Sequence, residues 1–475
     1  MRHRSSVLLF FVLVLGGCGS TSPSGDGGAP GPDSGGREPP PGADGAACGA
    51  DAECLGGTCL EGADFPGGLC TLLGCASDAD CRGGGVCVTD PAVGVAKCHT
   101  PCTTDGDCRA GFVCSGMLGT LACWPDRPAM AVEGPDGVPG TVTCVGPVEG
   151  QEEIAFEVPV GTTRYAVVPF AEDGGRVVPL LLDGPDRDLD FASDESVELA
   201  TVTSTLLGFT SPLVVPPKPG RETDLQSGSH AFVVDADTEN LCLYLVAEDA
   251  PGRRLDLNIY LVGIEGREPA TAGDDPALQR MTATVDEVFG QVDLPLGEVR
   301  YLPLSPEDTS AFRVITVRED IAALAALSTP PEGGPDALLS LNVFLLAGLD
   351  LPEGSVVGIS QGIPGPPGLH GSMGSGVVVS AEFLDMGVAG DPLLGAELTG
   401  LVLAHEAGHF LGLFHTTEAS LAVSDPLADT PVCTGGFPDD CPDQSNLMFP
   451  LASLEGRGLT AQQGAVLAAN PLARP

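Results

Sequence analysis

The residues whose types and spacing most clearly indicate chemistry lie at 397–415, a segment that reads Glu-Leu-Thr-Gly-Leu-Val-Leu-Ala-His-Glu-Ala-Gly-His-Phe-Leu-Gly-Leu-Phe-His. In a helix, His405 and His409 are four residues apart and project from one face. Both imidazoles can therefore bind one zinc ion at about 2.1 Å. Gly412 has no Cβ, so the chain can turn sharply there and leave the helix. His415 then approaches the metal from another direction as a third ligand.

Three histidine ligands with an open fourth position are typical of a catalytic zinc. Zinc lowers the pKa of a water to about 7, and a neighbouring carboxylate can take its proton. Glu406, next to His405, is placed for that role and not as a ligand. HExxH alone occurs by chance in many chains, but here five of eleven positions have fixed residue types, and the segment contains three of the seven histidines. The sequence therefore predicts a zinc site.

The extended pattern HExxHxxGxxH resembles the signature of the metzincin zinc endopeptidases, and its surroundings are most similar to the pappalysin (cytophagalysin-type) branch. The similarity rests on residues 405–416, on Asp429-Thr430-Pro431 and on Asn446-Leu447-Met448, and it covers about residues 268–475. It implies an α/β catalytic domain that hydrolyses peptide bonds. It also implies a methionine turn beneath the metal, for which Met448 is the candidate.

The resemblance further implies calcium binding near Asp429 and Thr430, with solvated surface acids as the alternative. One feature departs from the branch. An aromatic residue often lies two positions after the methionine, but here the order is Met448-Phe449-Pro450. That turn therefore provides no tyrosine hydroxyl near the metal.

The 475-residue chain is strongly acidic, with 65 Asp and Glu against 21 Lys and Arg and a net charge of −44. This charge argues against nucleic acid and anionic membrane surfaces as partners. It fits a soluble extracellular protein with carboxylates available for calcium, simple solubility being the alternative. The length predicts two or three domains. We expect a monomer whose partner is a protein or peptide substrate.

The N-terminus resembles that of an exported bacterial protein. Residues 1–17 have a basic start and a short apolar run, too short to span a bilayer, as in a signal peptide. The run ends in Leu-Gly-Gly-Cys, which is similar to a lipobox and makes Cys18 the predicted lipidation site. An ordinary secretory signal with an incidental cysteine is the alternative. Residues 18–47 are rich in Gly, Pro and Ser and predict a flexible tether.

The absence of an acidic residue directly after Cys18 favours the bacterial outer membrane. We therefore predict an outer-membrane lipoprotein or an extracellular protein, which contacts the membrane only through the N-terminal lipid.

Residues 48–125 contain twelve of the seventeen cysteines, in three units of four with similar spacing. In an exported protein this repeat predicts a framework of about six disulfides, paired within each unit in an undetermined order. Zinc binding by these cysteines is the alternative, but no paired CxxC spacing supports it. Apart from Cys18, the cysteines are even in number. Two further disulfide pairs are predicted, Cys144 with Cys242 and Cys433 with Cys441.

Residues 126–267 contain short apolar runs, among them Leu255–Val262, separated by Gly, Pro and Asp. Several of these runs alternate apolar with polar residues, which predicts a β-sandwich. A structural domain, a propeptide and a substrate-binding module all remain open for it. From residue 268 the pattern becomes α/β, with a helix predicted at 276–289 and a buried strand at 341–346.

Several elements must position the zinc motif. The active-site helix is predicted to begin at Asp391-Pro392, or near Glu397, and to end at Leu411. By the resemblance, Gly358-Ile359-Ser360 is the edge strand with which an extended peptide pairs. His370 follows in a Gly/Pro-rich loop, either as a fourth metal contact or solvated. Thr460-Ala461-Gln462-Gln463 predicts a capping box that begins a last short helix.

The sequence thus predicts a multidomain chain: disulfide-rich repeats, a β-sandwich, then an α/β metzincin-like catalytic domain. The predicted function is zinc-dependent endopeptidase activity, with Glu406 as general base. One alternative is a catalytically silent metzincin-like domain in a cell-surface binding or adhesion protein, against which the intact Glu406 argues. The other is a non-proteolytic zinc hydrolase, against which the Met448 turn and the edge strand argue.

Overall fold

The computed structural model describes most of the chain from residue 39 onward. The described residues are 39–55, 57–60, 67–90, 95–117, 120–125, 130–132, 140–171, 177–184, 188–190, 213–215, 227–332, 335–351, 356–388, 390–421, 424–438 and 440–475. The predicted signal peptide, Cys18 and most of the predicted tether lie outside them. Within the described residues, no helix has both the length and the apolar character needed to cross a bilayer.

The cysteine-rich region forms one antiparallel hairpin in each unit. The strands are β1 (Thr58–Leu60), β2 (Leu69–Thr71), β3 (Val86–Asp90), β4 (Val95–His99), β5 (Phe112–Met117) and β6 (Thr120–Pro125). In every unit the first cysteine pairs with the third and the second with the fourth. The predicted disulfide framework is confirmed, and zinc binding by these cysteines is wrong because their sulfurs are bonded to each other.

The repeated acidic residue before the second cysteine of each unit has a structural role. The Asp80 carboxylate accepts hydrogen bonds from the backbone N–H groups of Ala76 and Ser77 at a short helical turn, and Asp107 does the same for the third unit. These backbone donors lower the pKa of both carboxyls. The repeat pattern therefore encodes a capped turn that positions the next cysteine.

The end of the predicted flexible tether is folded, which corrects the prediction for residues 40–47. Ala43 and Ala46 are buried against the cysteine-rich units. The N–H of Gly45 donates to the Cys70 carbonyl at 2.7 Å. Asp44 accepts a hydrogen bond from the N–H of Arg82. Small residues can fold here because the backbone, and not an apolar side-chain core, makes most of the contacts.

Two antiparallel sheets follow. Their strands are β7 (Met130–Val132), β8 (Thr141–Gly146), β9 (Val148–Val158), β10 (Arg164–Ala171), β11 (Val177–Asp183), β12 (Asp188–Asp190), β13 (Leu213–Val215), β14 (Gly228–Thr238) and β15 (Leu241–Glu248). One sheet has the order β13-β10-β15-β8-β7 and the other β12-β11-β14-β9. Buried side chains from both, such as Ile154, Val167 and Phe232, form one core between them. The Cys144–Cys242 disulfide joins β8 to β15.

The C-terminal part is built on a mixed α/β sheet. Its elements are β16 (Arg254–Val262), α1 (Pro276–Gly290), β17 (Leu296–Leu302), α2 (Pro306–Ala311), β18 (Val314–Ile315), α3 (Glu319–Ala325), α4 (Pro335–Leu338), β19 (Leu341–Leu346), β20 (Gly348–Leu349), β21 (Gly358–Ser360), β22 (Val377–Ser380), α5 (Leu394–Leu411), α6 (Ala461–Ala469) and β23 (Ala473–Arg474). The strand order is β17-β16-β19-β22-β21, and β23 pairs with β16.

The main strands of this sheet run parallel, except that β21 is antiparallel to β22. Helices α1 and α5 share a core with one face of the sheet, and α3 shares a core with the other. The helix predicted at 276–289 and the buried strand at 341–346 are confirmed as α1 and β19.

Strand β16 corrects the boundary expected at residues 267 and 268. The sequence groups Leu255–Val262 with the preceding sandwich, but the structure pairs this strand in parallel with β17 and β19. The alternation that suggested a half-exposed strand comes from two buried polar residues. Asn258 donates to Ser340 Oγ at 2.7 Å, and Asp256 accepts from Arg474 at 2.9 Å. Satisfied polar groups inside a sheet mimic a solvent-facing pattern in the sequence.

Candidate metal centre

The helix α5 carries the histidine motif and is buried from Gly395 to Leu411. It ends at Leu411 as predicted, and Gly412 follows with a left-handed φ of +117°, a conformation that glycine adopts without strain. Its start corrects the expected N-cap. The first helical residue is Leu394, between the two predicted starts, and Asp391 instead accepts a hydrogen bond from the N–H of Leu393.

The three histidines of the motif converge through their Nε2 atoms. His415 Nε2 lies 3.2 Å from His405 Nε2 and 3.1 Å from His409 Nε2. All three rings are buried. Three ligands on a tetrahedral zinc, with bonds of about 2.1 Å, place their nitrogens about 3.4 Å apart. The observed separations are close to that spacing.

The opposite nitrogen of each ring faces a hydrogen-bond acceptor. His405 Nδ1 lies 2.8 Å from the Leu447 carbonyl, His409 Nδ1 2.7 Å from the Leu413 carbonyl, and His415 Nδ1 3.0 Å from Glu418 Oε1. Because Nδ1 must donate in each case, the Nε2 atoms present lone pairs to one another. Three lone pairs at this distance repel unless a cation lies among them, so the donor set fits a metal ion.

Burial keeps the rings of His405 and His409 neutral. It lowers the pKa of His405 to about 3, with a further contribution from His415. It also lowers the pKa of His409 well below the usual value. A neutral imidazole is the form that binds a metal.

Glu406 lies between the helix and the edge of the sheet. Burial raises the pKa of its carboxyl to about 8, and a hydrogen bond from the backbone N–H of Ser360 acts in the opposite direction. At Gly358 a Cβ would lie 2.6 Å from Glu406 Cγ, so only glycine allows this approach. A carboxyl whose pKa is near neutrality suits proton transfer, and a cation beside it would lower that pKa.

Strand β21 has the position expected for Gly358-Ile359-Ser360, at the end of the strand order among the described residues. It pairs with β22 on one side. On its other side, β21 pairs with no further strand within the described part of the chain. The Glu406 carboxylate lies next to this strand. Free backbone groups of this kind can bind an extended peptide.

Met448 is fully buried and lies directly under α5. A Cβ at Gly408 would be 2.7 Å from Met448 Sδ, so the glycine lets the sulfur approach the helix. Asn446 Oδ1 accepts the Met448 N–H at 2.8 Å, which closes the turn. The Leu447 carbonyl in the same turn is the acceptor for His405 Nδ1.

Gln463 and Glu418 are site residues whose roles the sequence did not reveal. Gln463 completes the capping box predicted for α6, but it also exchanges two side-chain hydrogen bonds with Asn446, at 2.9 and 3.1 Å. The α6 cap therefore holds the methionine turn. Glu418 is the acceptor behind His415. The signal for it in the sequence was a carboxylate three residues after a candidate ligand.

His370 does not join the histidine cluster and is not solvated, so neither expectation for it holds. It is partly buried, accepts a hydrogen bond from Asn342 at 2.9 Å and donates to the Leu338 carbonyl at 2.8 Å. Burial lowers its pKa. The loop that carries His370 folds back onto the mixed sheet, and local sequence cannot show this.

Asp429 and Thr430 are engaged within the protein. Asp429 accepts the N–H of Gln462 at the start of α6, at 2.9 Å, and the Thr430 hydroxyl donates to the Leu427 carbonyl at 2.9 Å. Asp429 belongs to none of the groups of three or more ligand atoms that converge within the described residues. Asp425 is buried near Thr430, and burial raises its pKa. Calcium at Asp429 and Thr430 stays a prediction.

The Cys433–Cys441 disulfide closes a short loop that is tied to the segment after His415. The N–H of Cys433 donates to Thr417 Oγ1 at 3.0 Å. The loop residue Phe437 stacks on Phe449, which follows the buried methionine, with ring centroids 5.4 Å apart. The loop is thus tied to the two segments that follow His415 and Met448.

No protein-family model matches this chain, and no curated protein matches it. Among solved structures, archaemetzincin from Methanopyrus kandleri is 20% identical, with a TM-score of 0.25 over 46% of this chain and 89% of that one. Metalloproteinase-II from Bacteroides fragilis is 15% identical, with a TM-score of 0.25 over 46% of this chain and 52% of that one. The chain spans about half of the latter protein. Similarities of this size do not define a family.

Proposed function

We propose that the protein is a zinc-dependent endopeptidase with a metzincin-like catalytic domain. The observation that carries the proposal is the convergence of three Nε2 lone pairs beside a buried glutamate of raised pKa. His405, His409 and His415 would hold the zinc, with Met448 packed beneath them. A metal centre made only of neutral imidazoles keeps its positive charge, as catalysis of carbonyl chemistry requires.

When bound, zinc supplies Lewis acidity that polarises a carbonyl and makes a water acidic. Glu406 takes the proton of the attacking water and passes it to the departing amine, so one carboxyl serves as base and then as acid. The Ser360 N–H orients this carboxyl. The open side of β21 pairs with the backbone of an extended peptide, which brings a peptide carbonyl to the histidine cluster.

The same proposal covers the rest of the chain. The shared core between the two antiparallel sheets supports a β-sandwich. Eight disulfides join the described cysteines, as expected of a protein folded in an oxidising compartment. We include export and lipid attachment at Cys18 in the proposal on the sequence pattern alone.

The test compares the wild type with Glu406→Gln, which keeps the size of the side chain and removes its charge. Zinc content and cleavage of a mixed peptide library are measured for both proteins. We expect about one zinc per chain in each, and a loss of at least roughly 10²-fold in cleavage for the variant, as for removal of a general base.

A matched control is Glu382→Gln, an exposed carboxylate outside the histidine cluster whose pKa is also raised by desolvation. It should keep wild-type activity. Zinc in the wild type without cleavage would favour the silent binding domain, and wild type without zinc would contradict the proposal.

A further inference from the structure

The sheet that contains β10 and β15 is buried on both faces. Every residue of β10 is buried, and so is β15 from Leu241 to Val246. On one face, Tyr165 and Val167 pack in the core between the two sheets. On the other, Val168 and Tyr244 belong to the same core as α1, α5 and the mixed sheet. If the segment that contains this sheet were removed on activation, the apolar surface of the catalytic part that packs against Val168 and Tyr244 would become exposed.

Polar contacts fix the same junction. Arg164, at the start of β10, is buried and donates hydrogen bonds to three backbone carbonyls, those of Ala250, Asn470 and Ala473, at 2.6–2.8 Å. The last two lie at the C-terminal end of α6 and in β23. A buried guanidinium whose N–H groups are satisfied by carbonyls strongly specifies one docking geometry.

Tyr244 connects this sheet to the active-site helix. Its hydroxyl is fully buried and donates to the Pro367 carbonyl at 2.6 Å. Two residues earlier, the N–H of Gly365 donates to the Phe410 carbonyl at 2.9 Å. At Gly365 a Cβ would lie 2.0 Å from the Phe410 ring, so the loop backbone lies against that ring. Phe410 follows His409 directly, and the loop begins just after β21.

We propose that Tyr244 is a positioning residue for the candidate site, and that its sheet is a permanent part of the catalytic unit and not a propeptide. Tyr244 holds the loop 361–370 against the C-terminal turn of α5. It thereby fixes the loop between two functional elements, the edge strand β21 and the His409 end of the helix. The effect on catalysis rests on the proposed function, but the effect on the loop does not.

The experiment uses the full chain with Tyr244→Phe, which removes only the hydroxyl. The control is Tyr165→Phe, on the neighbouring strand, where the equally buried ring packs against Phe156 and His230 in the core away from the metal centre. Hydrogen exchange of the Gly365 amide, zinc content, kcat and KM are measured. We expect roughly tenfold faster exchange at Gly365 and a roughly tenfold lower kcat for Tyr244→Phe only, with zinc retained, from the loss of one buried hydrogen bond.

Equal Gly365 exchange in Tyr244→Phe and the wild type would overturn the proposal, as would equal losses of kcat in the two variants. Faster exchange in a protein whose wild type cleaves no peptide would leave the positioning role intact and reject the proposed function instead. Mass spectrometry of the active wild type is the second measurement and needs no variant. We expect residues 140–248 to be present in the active chain, and activity that appears only after their removal would overturn the proposal.

Discussion

Each metal-facing imidazole is held by an acceptor behind it, and the three acceptors differ in kind. His405 and His409 donate to backbone carbonyls, which no side-chain substitution removes. His415 donates to the Glu418 carboxylate, which is partly exposed. Glu418 is therefore the one acceptor of the three that mutation can delete directly. It also adds negative charge to the ligand, which strengthens metal binding.

At the residue scale, we predict that Glu418→Ala lowers zinc affinity by about 10–100-fold, the usual effect of losing a ligand's hydrogen-bond partner. Zinc affinity is measured by competition with a chelator of known strength. Glu455→Ala, at an exposed carboxylate outside the histidine cluster, is the control and should bind zinc as the wild type does. Unchanged affinity in Glu418→Ala would show that the His415 ring is oriented by packing alone.

At the scale of elements, α6 and the methionine turn act as one unit. Gln463 Oε1 accepts the Thr460 N–H at 2.9 Å as part of the cap. The same side chain bonds Asn446, which closes the turn that carries Leu447 and Met448. The cap of α6 and the methionine turn therefore both depend on the side-chain amide of Gln463. A substitution at this position can separate the two roles.

Gln463→Glu keeps a side-chain oxygen that can accept the Thr460 N–H in the capping box, but it loses the N–H donor to Asn446 Oδ1. We predict that α6 stays helical, while the free energy of unfolding falls by about 1–3 kcal/mol because a buried acceptor loses its partner. Circular dichroism and denaturant unfolding measure these quantities. Gln463→Ala is the comparison and should also lose the reciprocal hydrogen bond to the Thr460 N–H, while the Thr460 hydroxyl still caps the helix. A Glu variant as stable as the wild type would mean that the Asn446 contact does not hold the turn.

At the scale of the whole molecule, the strand β16 joins the two halves. It follows β15 directly and lies inside the mixed sheet between β17 and β19, and it also pairs with β23. A boundary at residue 268, as the sequence suggests, would cut away this strand. The sheet would then lose the hydrogen-bond ladders to β17, β19 and β23 and the buried side chains of Leu257, Ile259 and Tyr260.

We therefore predict that a chain beginning at residue 268 does not fold, whereas one beginning at residue 140 unfolds cooperatively and binds zinc. The measurements are thermal unfolding followed by circular dichroism, and zinc content after gel filtration. The longer chain is the matched control because it retains both antiparallel sheets and the Cys144–Cys242 disulfide. A cooperative transition in the shorter chain would show that β16 is dispensable.

The sequence by itself determined the features that arise from local spacing. Histidines four residues apart on a helix, a glycine that ends the helix, and cysteines repeated in units of four all depend on neighbours within a few residues. For that reason the histidine cluster, the helix end at Leu411 and the disulfide framework could be predicted. The chain also indicated α1 and β19 through their apolar periodicity.

Only the tertiary structure decided which distant groups support the site. Leu447 meets His405, Gln463 meets Asn446, and Tyr244 meets Pro367 across 123 residues. Such contacts leave no periodic signal, because each depends on how sheets and helices pack and not on local spacing. For the same reason, the sequence did not predict the sheet partners of β16 or the hydrogen-bonded position of His370. A buried, hydrogen-bonded polar side chain has the same letter in the sequence as a solvated one, and only packing tells them apart.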